Sequence, residues 1–275
     1  MAFTLSIITI NYNNASGLEK TIDSIATQKS ENFEHIIIDG GSNDGSVQVI
    51  EKFLQNERYK KHLRYWKSER DGGIYDAMNR GIPHATGKYI LMLNSGDYFK
   101  DENAVERATS QDFAEDLVYF DATFVGKDGT KIYRYPDSIS AVYFVTKLIF
   151  NQQNLLVRTE FQQENLFSTK FKIAGDYEFY LRSVIKNNCT LRHVSDSLVC
   201  FEMDTGLGSR PETIELRAKE GREITNMYLP PRVWQDLKEY SDFVYGYKGL
   251  LPKFRKILRK IAKFTTRRKL PPEKQ

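Results

Sequence analysis

A chain of 275 residues, 40% hydrophobic and 28% charged, carries enough apolar material for a core and is long enough for one large domain or two small ones. No apolar run approaches the roughly 18–20 residues a membrane-spanning helix needs, which excludes an integral helical membrane protein. The net charge of +4 is uneven: nine of the 40 Lys/Arg lie between Lys253 and Lys269 with no acid among them, so the rest is net acidic. A general nucleic-acid binder spreads basic charge over its folded face, and no nucleic-acid partner is expected.

The opening MAFTLSIITINYNN lacks a basic leader and turns polar early, so Phe3–Ile10 reads as a buried strand, not a secretory signal. Ser16 and Glu19 have capping-box spacing ahead of Leu18, Ile22 and Ile25, a helical stripe. His35–Ile38 is a second strand, stopped by the turn cluster Asp39–Ser46; Val47, Ile50, Phe53 and Leu54 form a second stripe. Leu63–Trp66 is a third strand, Gly72-Gly73 opens a helix through Tyr75, Met78 and Ile82, and Lys88–Leu93 is a fourth strand ending at Asn94-Ser95-Gly96-Asp97. Such alternation predicts right-handed crossovers and a mostly parallel sheet. Ligands of open sheets bind outside the carboxyl ends of the strands, where these polar clusters fall.

Beyond residue 115 the alternation weakens. Leu117–Val125 and Thr130–Tyr135 flank a hairpin turn, a helix is expected over Tyr177–Ile185, and Leu191–Val194 and Ser197–Met203 look like strands. Pro211–Tyr228, Arg232–Tyr245 and Pro252–Phe264 suggest helices. Cys189 and Cys200 cannot form a disulfide framework, the four histidines share no ligand spacing, and a reduced, cytoplasmic compartment is expected.

Five stretches occur in a telling order: Ser6–Asn11, Ile37–Ser46, Gly73–Gly81, Leu93–Asp97 and Ala174–Phe179. Together they resemble the family-two glycosyltransferases of the GT-A fold, nearest to bacterial enzymes of colanic-acid, O-antigen and capsule assembly. The likeness covers roughly residues 3–210. It implies an α/β, Rossmann-like GT-A domain over 1–210, with a nucleotide-binding half at 1–115 and an acceptor-binding half at 116–210. A helical extension over 211–275 follows.

By this resemblance Asp39 accepts from the imide N–H of a uracil, with Thr9 and Asn11 lining the same cleft. Asp71 lies against the nucleoside, and the Gly72-Gly73 helix start with Arg70 suits an anion. The family binds Mn²⁺ or Mg²⁺ through an Asp-x-Asp motif; here Ser95-Gly96-Asp97 is aligned, leaving Asp97 as the main ligand with Asn94 as a neutral helper. Asp176 takes the role of general base in an inverting displacement, although it also suits a helix N-cap; Glu178 is the less favoured carboxylate. Gln152-Gln153 stands where the family often has His-Gln, and Phe201–Ser209 resembles a loop closing over the donor.

The implied activity is transfer from a nucleotide-sugar, a UDP-sugar by preference, to a polyprenyl-diphosphate-linked glycan. Over 250–269, Leu250, Phe254, Ile257, Leu258, Ile261 and Phe264 alternate with Lys and Arg, a pattern suited to an anionic headgroup layer. A peripheral enzyme at the inner face of the plasma membrane is therefore expected. The shortened metal motif keeps a second reading open, a non-catalytic sugar-nucleotide or glycan-binding subunit. A nucleotidyltransferase is disfavoured because no Gly-rich triphosphate loop follows the first strand.

Overall fold

The computed structural model describes residues 4–147, 150–203 and 211–246. β1 (Leu5–Asn11) and β2 (Phe33–Asp39) are buried at every position, as strands covered on both faces must be, and pair in parallel from Leu5–Phe33 to Asn11–Asp39. Between them α1 (Ala15–Ala26) buries Leu18, Ile22 and Ile25. Its cap is Asn14, whose side chain accepts from the Gly17 N–H, two residues ahead of the Ser16 that opens the expected capping box. Then come α2 (Ser46–Phe53), α3 (Glu57–Lys60), β3 (Leu63–Ser68), α4 (Ile74–Gly81) and β4 (Tyr89–Met92). Pro83 converts the end of the expected helix into a 3₁₀ turn over Ile82–His84.

The second half departs further from the sequence reading. β5 (Tyr98–Phe99) and α5 (Ala104–Thr109) precede β6 (Leu117–Phe120) and β7 (Ala122–Gly126), which divide one expected strand at Asp121. β6 stays in the main sheet, whereas β7 pairs antiparallel with β8 (Gly129–Tyr133) through the expected turn. After α6 (Ala141–Lys147) come β9 (Leu155–Arg158) and α7 (Thr159–Glu164). α8 (Gly175–Leu181) continues into a π turn over Arg182–Lys186. β10 (Leu191–Val194), β11 (Val199–Glu202), α9 (Pro211–Tyr228) and α10 (Pro231–Gly246) complete the described order.

The main sheet runs β10-β6-β9-β4-β1-β2-β3, with β9 antiparallel to both neighbours and the other pairings parallel. The smaller sheet runs β5-β11-β7-β8. Residues up to Ile139 and from 150 to Tyr228 make one compact unit, and 140–147 with 229–246 another, where α6 and α10 meet through a Thr146–Ser241 hydroxyl bond of 2.6 Å. α9 thus shares the unit of the sheet, whereas the sequence reading begins the extension at 211. The expected basic helix over 252–264 and the basic tail 250–269 lie outside the described residues, as do 204–210 of the expected donor loop. Among the described residues no helix is long and apolar enough to cross a membrane.

Thr9 does not line the cleft. Its hydroxyl meets His35 Nε2 at 2.9 Å, His35 Nδ1 meets the Tyr59 hydroxyl at 2.6 Å, and both Thr9 and His35 are fully buried. The side chain of Thr9 faces His35 and, through it, Tyr59 of α3, a direction the strand string alone does not reveal. Burial, with the nearby His62, pulls the His35 ring down to about 3. A ring that titrates near 6.5 once unfolded then favours the unfolded chain as pH falls below 6.5, an effect that grows until about pH 3. Urea unfolding at pH 5 is expected to give about 2 kcal/mol less stability than at pH 8 from this group. A His35→Gln variant, weaker at pH 8, should lose less on acidification; an equal loss in both proteins rejects the assignment.

Candidate functional site

β1, β2 and β4 run parallel and end on one edge of the sheet, where Asn11, Asp39 and the Asn94–Asp97 turn follow. At the end of β2, Asp39 is fully buried and accepts from Asn11 Nδ2 (2.7 Å), the Ser42 hydroxyl (2.6 Å) and N–H (2.9 Å), and the Ser68 hydroxyl (2.6 Å). Burial pushes its carboxyl up, but the donors of Ser42, Ser68 and Asn11 outweigh burial and hold it below its ordinary value. Four donors fill the acceptor capacity of one carboxylate, so Asp39 here locks the β2 turn onto β1. Asn11 also reaches the Ser46 hydroxyl at 2.9 Å, and its buried Oδ1 has no partner.

Gly40, the next residue, forms a cradle. A Cβ there would lie 2.7 Å from Asp71 Oδ2 and 3.2 Å from the ring of Tyr12. Tyr12, which belongs to none of the site motifs, is 67% exposed. An exposed aromatic over a glycine floor beside a carboxylate suits a flat ring with an N–H at its rim. The neighbouring loop is tied down by the Glu69 N–H on the Asp39 carbonyl (3.0 Å) and by Arg80 on the Arg70 carbonyl (3.2 Å). Arg70 itself is exposed, and among the described residues its guanidinium has no partner. The expected anion cradle at Gly72-Gly73 is filled from within: Asp76 takes the Gly72 N–H (2.8 Å) and Asp71 the Gly73 N–H (2.9 Å). These two carboxylates, Asp71 before the helix and Asp76 in its first turn, compete with any incoming anion for those donors.

At the end of β4, Asn14 Nδ2 reaches the Ser95 carbonyl (3.1 Å) and hydroxyl (3.3 Å), placing Ser95 at the start of α1. Asp97 is 5% exposed and accepts the Glu202 N–H at 3.1 Å. Burial pushes its carboxyl up to about 7; Glu202 adds to the rise, while the Glu202 N–H, Lys20 and Gln153 oppose it. Glu202 is itself paired with Lys20 at 2.5 Å, and Lys20 sits 3.8 Å above the Tyr98 ring. Asn94 Oδ1 is buried without a partner. These are hard oxygen donors, fit for Mg²⁺ or Mn²⁺. No cluster of three His, Cys, Asp or Glu that could hold a metal occurs among the described residues. A cation there needs further oxygens from a ligand.

Asp176 comes from the far half of the chain. It lies in the first turn of α8, partly exposed, with Oδ1 accepting from the Tyr75 hydroxyl (3.1 Å) and the Tyr177 N–H (2.8 Å). Tyr75 also donates to the Ile173 carbonyl at 2.8 Å, and Gly175 lets its ring in, since a Cβ there would stand 2.7 Å from that ring. Burial raises the Asp176 carboxyl; the Tyr177 N–H, Tyr75 and Arg217 oppose the rise. Glu178 faces elsewhere, buried and ion-paired with Arg182 at 3.0 Å, so it is not available as a base. Gln153 and Gln152 link the regions: Gln153 donates to Asp97, and Gln152 touches Met78 Sδ of α4 at 3.6 Å. A separate cavity lined by Ile38, Tyr65, Lys67, Glu69, Arg80 and His84 opens on the other face of β2 from Asp39 and holds none of these carboxylates.

Comparison with known proteins gives the family and the fold. The family Glycosyl transferase family 2 matches residues 6–188. An uncharacterized glycosyltransferase of Mycobacterium tuberculosis is 33% identical over 218 residues, 76% of this chain and 78% of that protein. A PGL/p-HBAD biosynthesis glycosyltransferase of Mycobacterium bovis is 29% identical over 188 residues, 64% of this chain and 68% of its own. Among solved structures, residues 1–349 of S. aureus TarS with UDP-GlcNAc align with a TM-score of 0.63 at 18% identity, covering 86% of this chain and 70% of that one. Mannosyltransferase PcManGT from Pyrobaculum calidifontis, with GDP-Man and Mn²⁺, aligns with a TM-score of 0.65 at 16% identity, covering 98% and 77%. The two structures share the fold.

Proposed function

Because the chain belongs to glycosyl transferase family 2 and has the GT-A fold, we propose that it transfers a sugar from a UDP-sugar to a lipid-linked oligosaccharide, with inversion at the anomeric carbon. The observation that carries the reading is the setting of Asp176: a partly exposed residue, its carboxylate bonded by Tyr75, in the unit that also holds Asp97 and the Gly40 cradle. TarS is solved with UDP-GlcNAc, which supports a uridine donor for the cradle between Tyr12 and Asp71. Asp39 then acts chiefly as the anchor that fixes Gly40, and meets an imide N–H only when a serine hydroxyl turns away.

The acceptor hydroxyl gives its proton to Asp176 as its oxygen attacks the anomeric carbon; the bond to the diphosphate breaks on the opposite face, and UDP leaves. Tyr75, whose hydroxyl burial pushes up, stays protonated and keeps donating to Asp176 throughout. Asp97, with Asn94 and Glu202 near it, would hold Mn²⁺ or Mg²⁺ together with diphosphate oxygens. Bound there, the cation offsets charge collecting on the leaving group.

The test is a panel of UDP- and GDP-sugars, with and without Mn²⁺, read by thermal shift and then by UDP release in vesicles of bacterial lipid extract. A UDP-sugar should raise the midpoint, more so with Mn²⁺, and release UDP only when acceptor vesicles are present. Binding without release under any condition would favour the non-catalytic subunit instead.

A further inference from the structure

We infer that Glu220, on α9 and beyond the stretch matched by the family, is a positioning residue that fixes the segment carrying Asp176. Its carboxylate is 7% exposed and accepts three consecutive backbone N–H groups: Lys172 at 2.9 Å, Ile173 at 3.0 Å and Ala174 at 3.0 Å. Three successive amides aimed at one anion form a charged clamp, stronger than neutral hydrogen bonds. Two residues past the last of them stands Asp176.

The segment is gripped from both sides. Glu220 takes the N–H groups, while Tyr75 donates to the Ile173 carbonyl and to Asp176 itself. Other residues of α9 serve the same stretch: Glu223 pairs with Lys170 at 2.5 Å, and Thr225 meets the Tyr177 hydroxyl at 3.2 Å. Tyr228 donates to Glu178, whose carboxylate is thereby turned from the cleft. These contacts tie α9 to the segment 170–178 at several points along the helix. An isolated helix glutamate needs only water; one bound to three amides ahead of a carboxylate sets where that carboxylate points.

The inference rests on reading Asp176 as the base, so its test has one readout that needs turnover and one that does not. Glu220→Gln keeps the size of the side chain but loses the second charged acceptor oxygen. Hydrogen exchange of the full chain should then rise about tenfold in 170–177 and stay unchanged in 33–44. With a UDP-sugar and acceptor, kcat should fall about 30-fold while the donor KM stays within about twofold, the signature of a misplaced group that does not bind donor. Thr225→Val removes another contact of the same helix and should leave kcat unchanged.

Three results would overturn the assignment: unchanged exchange in Glu220→Gln, raised exchange with unaltered kcat, or an equal kcat loss in Thr225→Val. Failure of the transfer reading looks different. The unmodified protein then turns over no donor, while the exchange comparison still shows whether Glu220 holds the segment.

Discussion

Replacing Asp176 by Asn is expected to lower kcat by about a thousandfold while leaving the Kd for UDP within about twofold, since a positioned general base contributes typically 10²–10⁴ in rate. The substitution keeps the shape of the side chain. Asn can still accept from the Tyr75 hydroxyl and the Tyr177 N–H, so the first turn of α8 stays formed. What it lacks is the ability to take a proton. Glu178 cannot replace it, because its carboxylate is bound to Arg182 and Tyr228. The pH profile gives a second check. Burial raises the Asp176 carboxyl, so the acidic limb of kcat/KM should fall above the ordinary carboxylate range, with activity lost as pH drops through the raised value. Tyr75→Phe removes one donor to the carboxylate and should move that limb higher still. Loss of UDP binding in Asp176→Asn would instead make the residue a structural cap, the role its place in the first helical turn also permits.

The nucleotide half was legible from its sequence because parallel strands covered on both faces read as unbroken apolar runs, and β1 and β2 are buried at every position. β9 escaped because Leu155–Arg158 is four residues long and antiparallel in an otherwise parallel sheet, with no alternation to count. β6 and β7 merged into one expected strand because the sheet switch at Asp121 is a tertiary event. The motif strings single out Asp39, Asp97 and Asp176 as candidates. They do not give the direction of a side chain. Thr9 points to His35, and the Gly72-Gly73 amides meet Asp76 and Asp71 rather than open solvent. Glu220 was hidden for another reason: its partners lie 46 to 48 residues away, and on α9 it looks like any solvated charge. Tyr12 gave one usable signal, an aromatic directly after the strand that carries Asn11.

Replacing Asp97 by Asn should abolish the gain in UDP affinity that Mn²⁺ confers on the unmodified protein and lower kcat/KM by at least about a hundredfold, in line with the several kcal/mol such a cation supplies. The expectation follows from where the carboxylate sits. Asp97 is almost wholly buried beside a second acid, Glu202, and the Asn94 oxygen is buried without a partner. Burying a carboxylate against another acid is unfavourable unless the acid takes a proton or a cation shares the place, and the ion pair of Lys20 is made with Glu202, not with Asp97. Asn at 97 keeps an acceptor for the Glu202 N–H, so β11 should remain attached to the turn after β4 and metal-free UDP binding should persist. Glu202→Gln separates the two acids. If Glu202 only orients the turn, Mn²⁺ still tightens UDP binding in that variant; if it shares the cation, the gain shrinks but does not vanish. Full Mn²⁺ enhancement in Asp97→Asn would remove Asp97 from the metal's shell and leave Glu202 as the acid nearest the diphosphate.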